Sequence, residues 1–141
     1  MNDPSLAGTD EDHVRQVLER WAFTTRTGPQ AEVLANHAPD ALIYDVLPPM
    51  KYEGVAAYRR SWDEWQPDTK DEGQFALRDL AVVAGSDVAF AHCFIQCGGT
   101  LPDGEIFEDL VRATFCLRKI GGAWKVTHQH VSKPVEPSGD D

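Results

Sequence analysis

Four polar side chains stand out for what they could do chemically. His128 and His130 lie two apart in WKVTHQHVSKP, Asp45 is a lone carboxylate in LIYDVLPP, and Arg112 is a lone guanidinium in LVRATF. Residues i and i+2 of a strand project to one face, so His-x-His can hold part of a transition-metal site. Further ligands would have to come from His92, Glu105, Glu108 or Asp109, and nothing in the sequence makes them converge. The plainer alternative makes both rings hydrogen-bonded structural side chains on the face of Trp124 and Val126. No metal is expected. Asp45 sits among apolar neighbours, where lost hydration favours a carboxyl able to accept a proton from carbon. It could equally cap the Pro48-Pro49 turn or pair with Arg59 or Arg60. Arg112, between Val111 and Ala113, needs an anionic partner, whether a ligand carboxylate, Asp45, Glu108 or Asp109.

The aromatic residues Trp21, Tyr44, Tyr58, Trp62, Trp65 and Phe90 could wall an apolar pocket or simply fill a core. Ser61 and Ser132 lack a nucleophile-elbow setting, and neither a glycine-rich phosphate loop nor a CxxC motif is present.

The elements that must position these groups follow from periodicity. Thr9 or Asp10 can cap a helix with Glu11 and Asp12 in its first turn, and apolar residues then recur at Val14, Val17, Leu18, Trp21 and Ala22. Gly28-Pro29 ends it. Residues 31–37 read as a second short helix broken by Pro39-Asp40, and residues 41–46 as a strand stopped by Pro48-Pro49. VAAYRRSWDEW has helical spacing, and a polar loop is expected over residues 67–73. Four strand-like runs follow, FALRDLAVVAG, DVAFAHCFIQCGG, EIFEDLVRATFCLRKI and AWKVTHQHVS, joined at Gly85-Ser86, Pro102-Asp103-Gly104 and Gly121-Gly122. Helices first and an antiparallel meander after is an α+β layout, expected as one domain over residues 10–134 with flexible ends at 1–9 and 135–141. The strands are apolar on both faces. One face must cover the helices, and a homodimer is expected to cover the other.

The chain of 141 residues is 42% hydrophobic and 26% charged, the balance of an ordinary globule. Its net charge of −10 argues against nucleic acid and anionic membrane surfaces as partners, which leaves a small-molecule ligand or a protein. No secretory signal and no membrane span are visible. Cys93 and Cys97, four apart on one strand face, lie about 13 Å apart, beyond the ~7 Å reach of a disulfide. With Cys116 the count is odd, so buried free thiols and a cytoplasmic location are expected.

The runs YDVLPPMKYEGVAAYRRSW, VAFAHCFIQCGGTLPDGEIFEDLVRATFCLRK and GGAWKVTHQHVSKP resemble SnoaL-like proteins of the nuclear-transport-factor-2-like superfamily, which includes ketosteroid isomerase. The closing W-x-V-x-H-x-H-x-S-x-P run also resembles the association domain of calcium/calmodulin-dependent kinases. The resemblance spans about residues 10–134. It implies a cone: a curved antiparallel sheet wrapped around two or three N-terminal helices, a cystatin-like α+β barrel with one pocket. It implies a cofactor-free isomerase or cyclase acting on a small, largely apolar carbonyl compound. Asp45 falls where the isomerase holds its base. The isomerase's oxyanion-hole tyrosine falls on Trp21, and its late-strand acid falls near Thr114, with Arg112 two residues before on the same face. The resemblance thus implies Asp45, Arg112 and Thr114 as catalytic residues. Trp21, Tyr44, Tyr58, Trp62, Trp65, Phe90 and Gln129 are the implied pocket walls. It also turns Thr127, Gln129 and Val131 inward and His128 and His130 toward the layer where such proteins pair, unless the register slips by one across residues 119–123. A non-catalytic ligand-binding or dimerisation module, with Arg112 gripping an acidic ligand, is the alternative.

Overall fold

A computed structural model describes residues 8–65 and 73–135, with side chains omitted for 62–65. The loop expected over 67–73 and the ends expected at 1–9 and 135–141 fall largely outside these residues.

Helix α1, Asp10–Thr27, begins as its sequence requires. The Thr9 hydroxyl accepts from the Asp12 N–H, and the Asp12 carboxylate accepts from the Thr9 N–H, a reciprocal capping box. Its apolar stripe Val14, Leu18, Trp21 and Ala22 is buried. Gly28, at φ 75°, closes the helix by donating its N–H to the Thr24 carbonyl. The second helix expected over 31–37 is only a 3₁₀ turn, Gln30–Glu32. Strand β1, His37–Tyr44, starts earlier than expected and runs through Pro39. The proline is tolerated because the pairing of β1 is irregular between His37 and Leu42, where its missing N–H is not needed.

The rest is β2, Tyr52–Glu53; α2, Val55–Trp65; and the long strands β3, Gln74–Ala84, β4, Val88–Thr100, β5, Ile106–Ile120, and β6, Ala123–Ser132. These form a six-stranded sheet in the order β2-β1-β6-β5-β4-β3. The expected antiparallel meander is β3 to β6. The sheet as a whole is mixed, because β1 runs parallel to β6, and it stays open rather than closing into a barrel.

Two bulges decide what faces where. On β3, Asp79 adopts φ 56° in a one-residue irregularity opposite Phe94–His92, so Phe75 and Leu77 before it and Leu80, Val82 and Ala84 after it all pack on the core. On β6, Thr127 is the extra residue opposite Cys116–Leu117. Trp124 and Val126 are buried before it, and Gln129 and Val131 after it. His128 and His130 consequently leave the face that Trp124 and Val126 occupy and turn to the outer side, as the resemblance implied.

The core joins α1 to the inner face of the sheet through Leu18, Trp21, Ile95, Phe115, Leu117 and Val126. Burying each large side chain contributes about 1.5–3 kcal/mol before entropy is counted. The outer face shows Val83, Val88, Phe90, Phe94 and Leu110 to solvent.

One buried polar pair sits beneath α1. His37 Nε2 lies 2.8 Å from Gln129 Oε1, and His37 Nδ1 has no partner. Burial pushes the His37 pKa below its ordinary 6.5, only partly offset by the bond to Gln129. Below about pH 6.5 the unfolded chain therefore takes up a proton that the folded chain refuses. Stability is expected to be unaffected by this group above that pH and to fall on acidification, by at most about 1.4 kcal/mol per pH unit, until the folded pKa is reached. Urea titrations between pH 8 and 5 check this, and His37→Leu should flatten that limb.

Candidate active site

A cavity of about 550 Å³ opens between the C-terminal turn of α1, Tyr58 and Ser61 of α2, the segment that follows β1, and Phe75 of β3 with Cys97 of β4. Trp21 gives it an aromatic wall, held by edge-on contacts with Phe75 at 5.2 Å and Phe115 at 5.3 Å between ring centroids. Val33, Leu47, Tyr52 and Phe75 extend the apolar surface.

Asp45 follows the last residue of β1, is half-buried, and borders the cavity. Its Oδ2 accepts the Tyr58 hydroxyl at 2.9 Å, and its Oδ1 accepts the Val46 N–H at 2.7 Å. The backbone bond is the local turn cap foreseen as one alternative. The Tyr58 bond comes from α2, where helical spacing brings Tyr58 over β1. Among the described residues no ion pair joins Asp45 to an arginine. A carboxylate with two oxygens still has lone pairs for a ligand after these two bonds.

Asp45, Trp21 and Tyr58 thus line one cavity. Arg112 and Thr114 do not. Both are exposed on the outer face of β5, because Val111, Ala113, Phe115 and Leu117 take the inward positions. The Thr127 bulge absorbs the one-residue offset: Thr114 pairs with His130 rather than with an inward residue. Arg112 Nε donates to Ser132 Oγ at 3.1 Å, so its partner is a neighbouring hydroxyl and not an anion in the pocket. Tyr44 and Phe90 are likewise on the outer side. The Tyr44 ring sits edge-on to His128 at 4.9 Å and to His130 at 5.3 Å. Gln129 points inward but is 1% exposed and bonded to His37, behind the cavity wall rather than on it. The side chains of Trp62 and Trp65 lie outside the described residues. His128 Nδ1 is 2.7 Å from the Leu42 carbonyl, and among the described residues no three His, Cys, Asp or Glu side chains converge as a metal site.

The sequence reading missed the polar rim. Thr24, Thr25, Arg26, Thr27 and Gln30 line the cavity together with Ser61 and Cys97. The run TTRTG at a helix end was the available signal, since three hydroxyls in one last turn occupy more than one face. All three cysteines are free. Burial, reinforced by the nearby Asp109 and Asp45 carboxylates against Lys133, pushes the Cys97 thiol up, and burial first and Glu19 second push Cys93 up to about 11. Neither is a thiolate nucleophile at neutral pH.

Two helices packed on a curved, open, mixed six-stranded sheet are the α+β fold of a nuclear-transport-factor-2-like protein. A family model described as a SnoaL-like domain matches residues 14–136, and the chain belongs to that family. Among solved structures it is similar to an NTF2-like protein of unknown function from Pseudomonas putida KT2440, at 30% identity and TM-score 0.80, over 93% of this chain and 91% of that one. A Xanthomonas campestris protein, provisionally assigned as a calcium/calmodulin dependent protein kinase II association domain, matches at 17% identity and TM-score 0.75 over 97% and 95% of the two chains. A ketosteroid isomerase-like protein from Erwinia carotovora atroseptica SCRI1043 matches at 14% identity and TM-score 0.73 over 93% and 100%. Among curated proteins no relative matches. None of the helices in the described residues is long and apolar enough to cross a membrane.

Proposed function

We propose that this SnoaL-like protein binds a small, largely apolar carbonyl compound in the cavity and acts on it as an isomerase or cyclase, with Asp45 as the base. The observation that carries this is the Asp45–Tyr58 pair at the wall of a cavity with an apolar side, Trp21, Val33, Leu47 and Phe75, and a hydroxyl-lined rim. Asp45 takes a proton from the carbon beside the carbonyl, and the electron pair moves onto the carbonyl oxygen as an enolate. The newly protonated Asp45 no longer needs the Tyr58 proton. The Tyr58 O–H can then swing to the enolate oxygen while the Asp45 O–H donates to the Tyr58 oxygen. A donor engaged elsewhere in the ground state and released as charge develops stabilises the transition state selectively. Returning the proton to a different carbon isomerises the compound; attack of the enolate on a second carbonyl closes a ring.

The test is solvent exchange. Enolisable ketones shown to bind are incubated with the protein in D₂O, and loss of their α-proton signals is followed by NMR. Exchange no faster than in buffer would sink the base role and leave a ligand-binding module.

We infer in addition that a second copy covers the outer face, where Val83, Phe90, Phe94 and Leu110 are exposed beside Tyr44, His128 and His130. Contiguous exposed apolar residues on one sheet face support pairing. Light scattering should give twice the chain mass for the native protein and one chain mass for Phe94→Glu, since two buried carboxylates cost several kcal/mol. A native monomer at micromolar concentration would overturn the pairing.

A further inference from the structure

The hydroxyl groups around the cavity share a property that none of them shows alone. Among the described residues six of those lining it carry one, Thr24, Thr25, Thr27, Tyr52, Tyr58 and Ser61, and all six donate their proton to the protein. Thr24 donates to the Arg20 carbonyl at 2.7 Å, Thr25 to the Trp21 carbonyl at 2.7 Å, and Thr27 to the Phe23 carbonyl at 2.9 Å. Ser61 donates to the Tyr58 carbonyl at 2.6 Å, Tyr52 to the Pro48 carbonyl at 3.4 Å, and Tyr58 to Asp45. A hydroxyl has one proton and two lone pairs, so what these groups can still offer a ligand is acceptance.

Two further features have the same sign. Asp45 adds a carboxylate, and the carboxyl end of α1, with its partial negative charge, borders the cavity from Thr24 to Gly28. The other donor-bearing side chains among the described lining residues are the Trp21 indole, the Gln30 amide, the weak Cys97 thiol and Arg26. Gln30 is exposed at the rim, and the Arg26 guanidinium lies 5.6 Å from the centre of the Phe23 ring, which is 60% exposed and outside the cavity lining.

We propose that the cavity selects for ligands that bring their own hydrogen-bond donors, an apolar body bearing an amine or hydroxyl group, and selects against carboxylates and other anions. A bound amine or hydroxyl satisfies threonine and Asp45 lone pairs that would otherwise lose their water on burial. An anion finds few lining donors against many acceptors and the like charge of Asp45. This refinement rests on the cavity being the binding site proposed above. It also replaces the acidic ligand once matched to Arg112, which the outer face now holds.

The experiment compares four probes of one shape by calorimetry at pH 7.5: 2-(aminomethyl)naphthalene, 2-naphthol, 2-methoxynaphthalene and 2-naphthoate. The amine and the naphthol are expected to bind at least tenfold more tightly than the ether and the naphthoate. Thr25→Val, checked for a native melting temperature, is expected to weaken the two donors about fivefold and leave the ether unchanged, and Thr27→Val serves if Thr25→Val unfolds. Naphthoate or ether binding as tightly as the donors would overturn this inference while leaving the cavity as a binding site. Failure of all four to bind at millimolar concentration would remove the cavity reading itself, and this inference with it.

Discussion

Asp45→Asn is expected to leave the fold intact and to slow α-proton exchange of a bound ketone by about 10²–10⁴-fold, the usual contribution of a positioned general base. The substitution keeps the shape of the side chain. Its one remaining oxygen can accept from Tyr58 or from the Val46 N–H but not from both with the present geometry, which costs about 1 kcal/mol of stability. It cannot take a proton. Tyr58→Phe separates the two members of the pair. The base survives, the released donor does not, and turnover should fall about 10²-fold. KM should hardly move, because the Tyr58 proton belongs to Asp45 until the reaction begins. A Tyr58→Phe variant that lost affinity and kept its turnover number would show the hydroxyl to be a ground-state contact.

Phe115→Ala is expected to destabilise the protein by about 3–5 kcal/mol, read as a shift of the urea midpoint at unchanged slope. Phe115 is 0% exposed and sits in the middle of β5, edge-on to Trp21. Truncation removes apolar burial, opens a void, and frees the ring that walls the cavity, so probe binding should weaken as well. Its neighbour Thr114, on the opposite side of the same strand, gives the contrast. Thr114→Ala should change stability by no more than about 0.5 kcal/mol in the monomer. Had Thr114 faced the ligand, the two substitutions would have exchanged their effects.

That contrast also marks where the sequence was legible. The four long strands, the first helix and its cap follow from period and turn residues, and the structure reproduces them closely. Asp45 could be singled out because a lone carboxylate in an apolar strand is conspicuous. Parity along β6 could not be read. The side-chain period of a strand is 2, and an unmarked extra residue such as Thr127, neither glycine nor proline, reverses every position beyond it. Arg112 and Thr114 belong to the outward set of a regularly alternating β5, where alternation tells which residues share a face but not which face looks inward, and Tyr44 and Phe90 were misplaced because an aromatic residue on a strand carries no sign of its face. The parallel pairing of β1 with β6 was hidden for a different reason, since it joins segments about 85 residues apart through contacts no local pattern encodes. The threonine rim was overlooked because hydroxyls at a helix end read as capping.

Thr127 has a consequence for how such chains diverge. Losing or gaining a single codon there would send the imidazoles of His128 and His130 inside and expel Gln129, exchanging the roles of the two sides of β6 with no change in any other residue. Homologues with nearly the same letters in this segment can therefore differ in what they hold and in how they associate, and an alignment gap of one position would be the only trace.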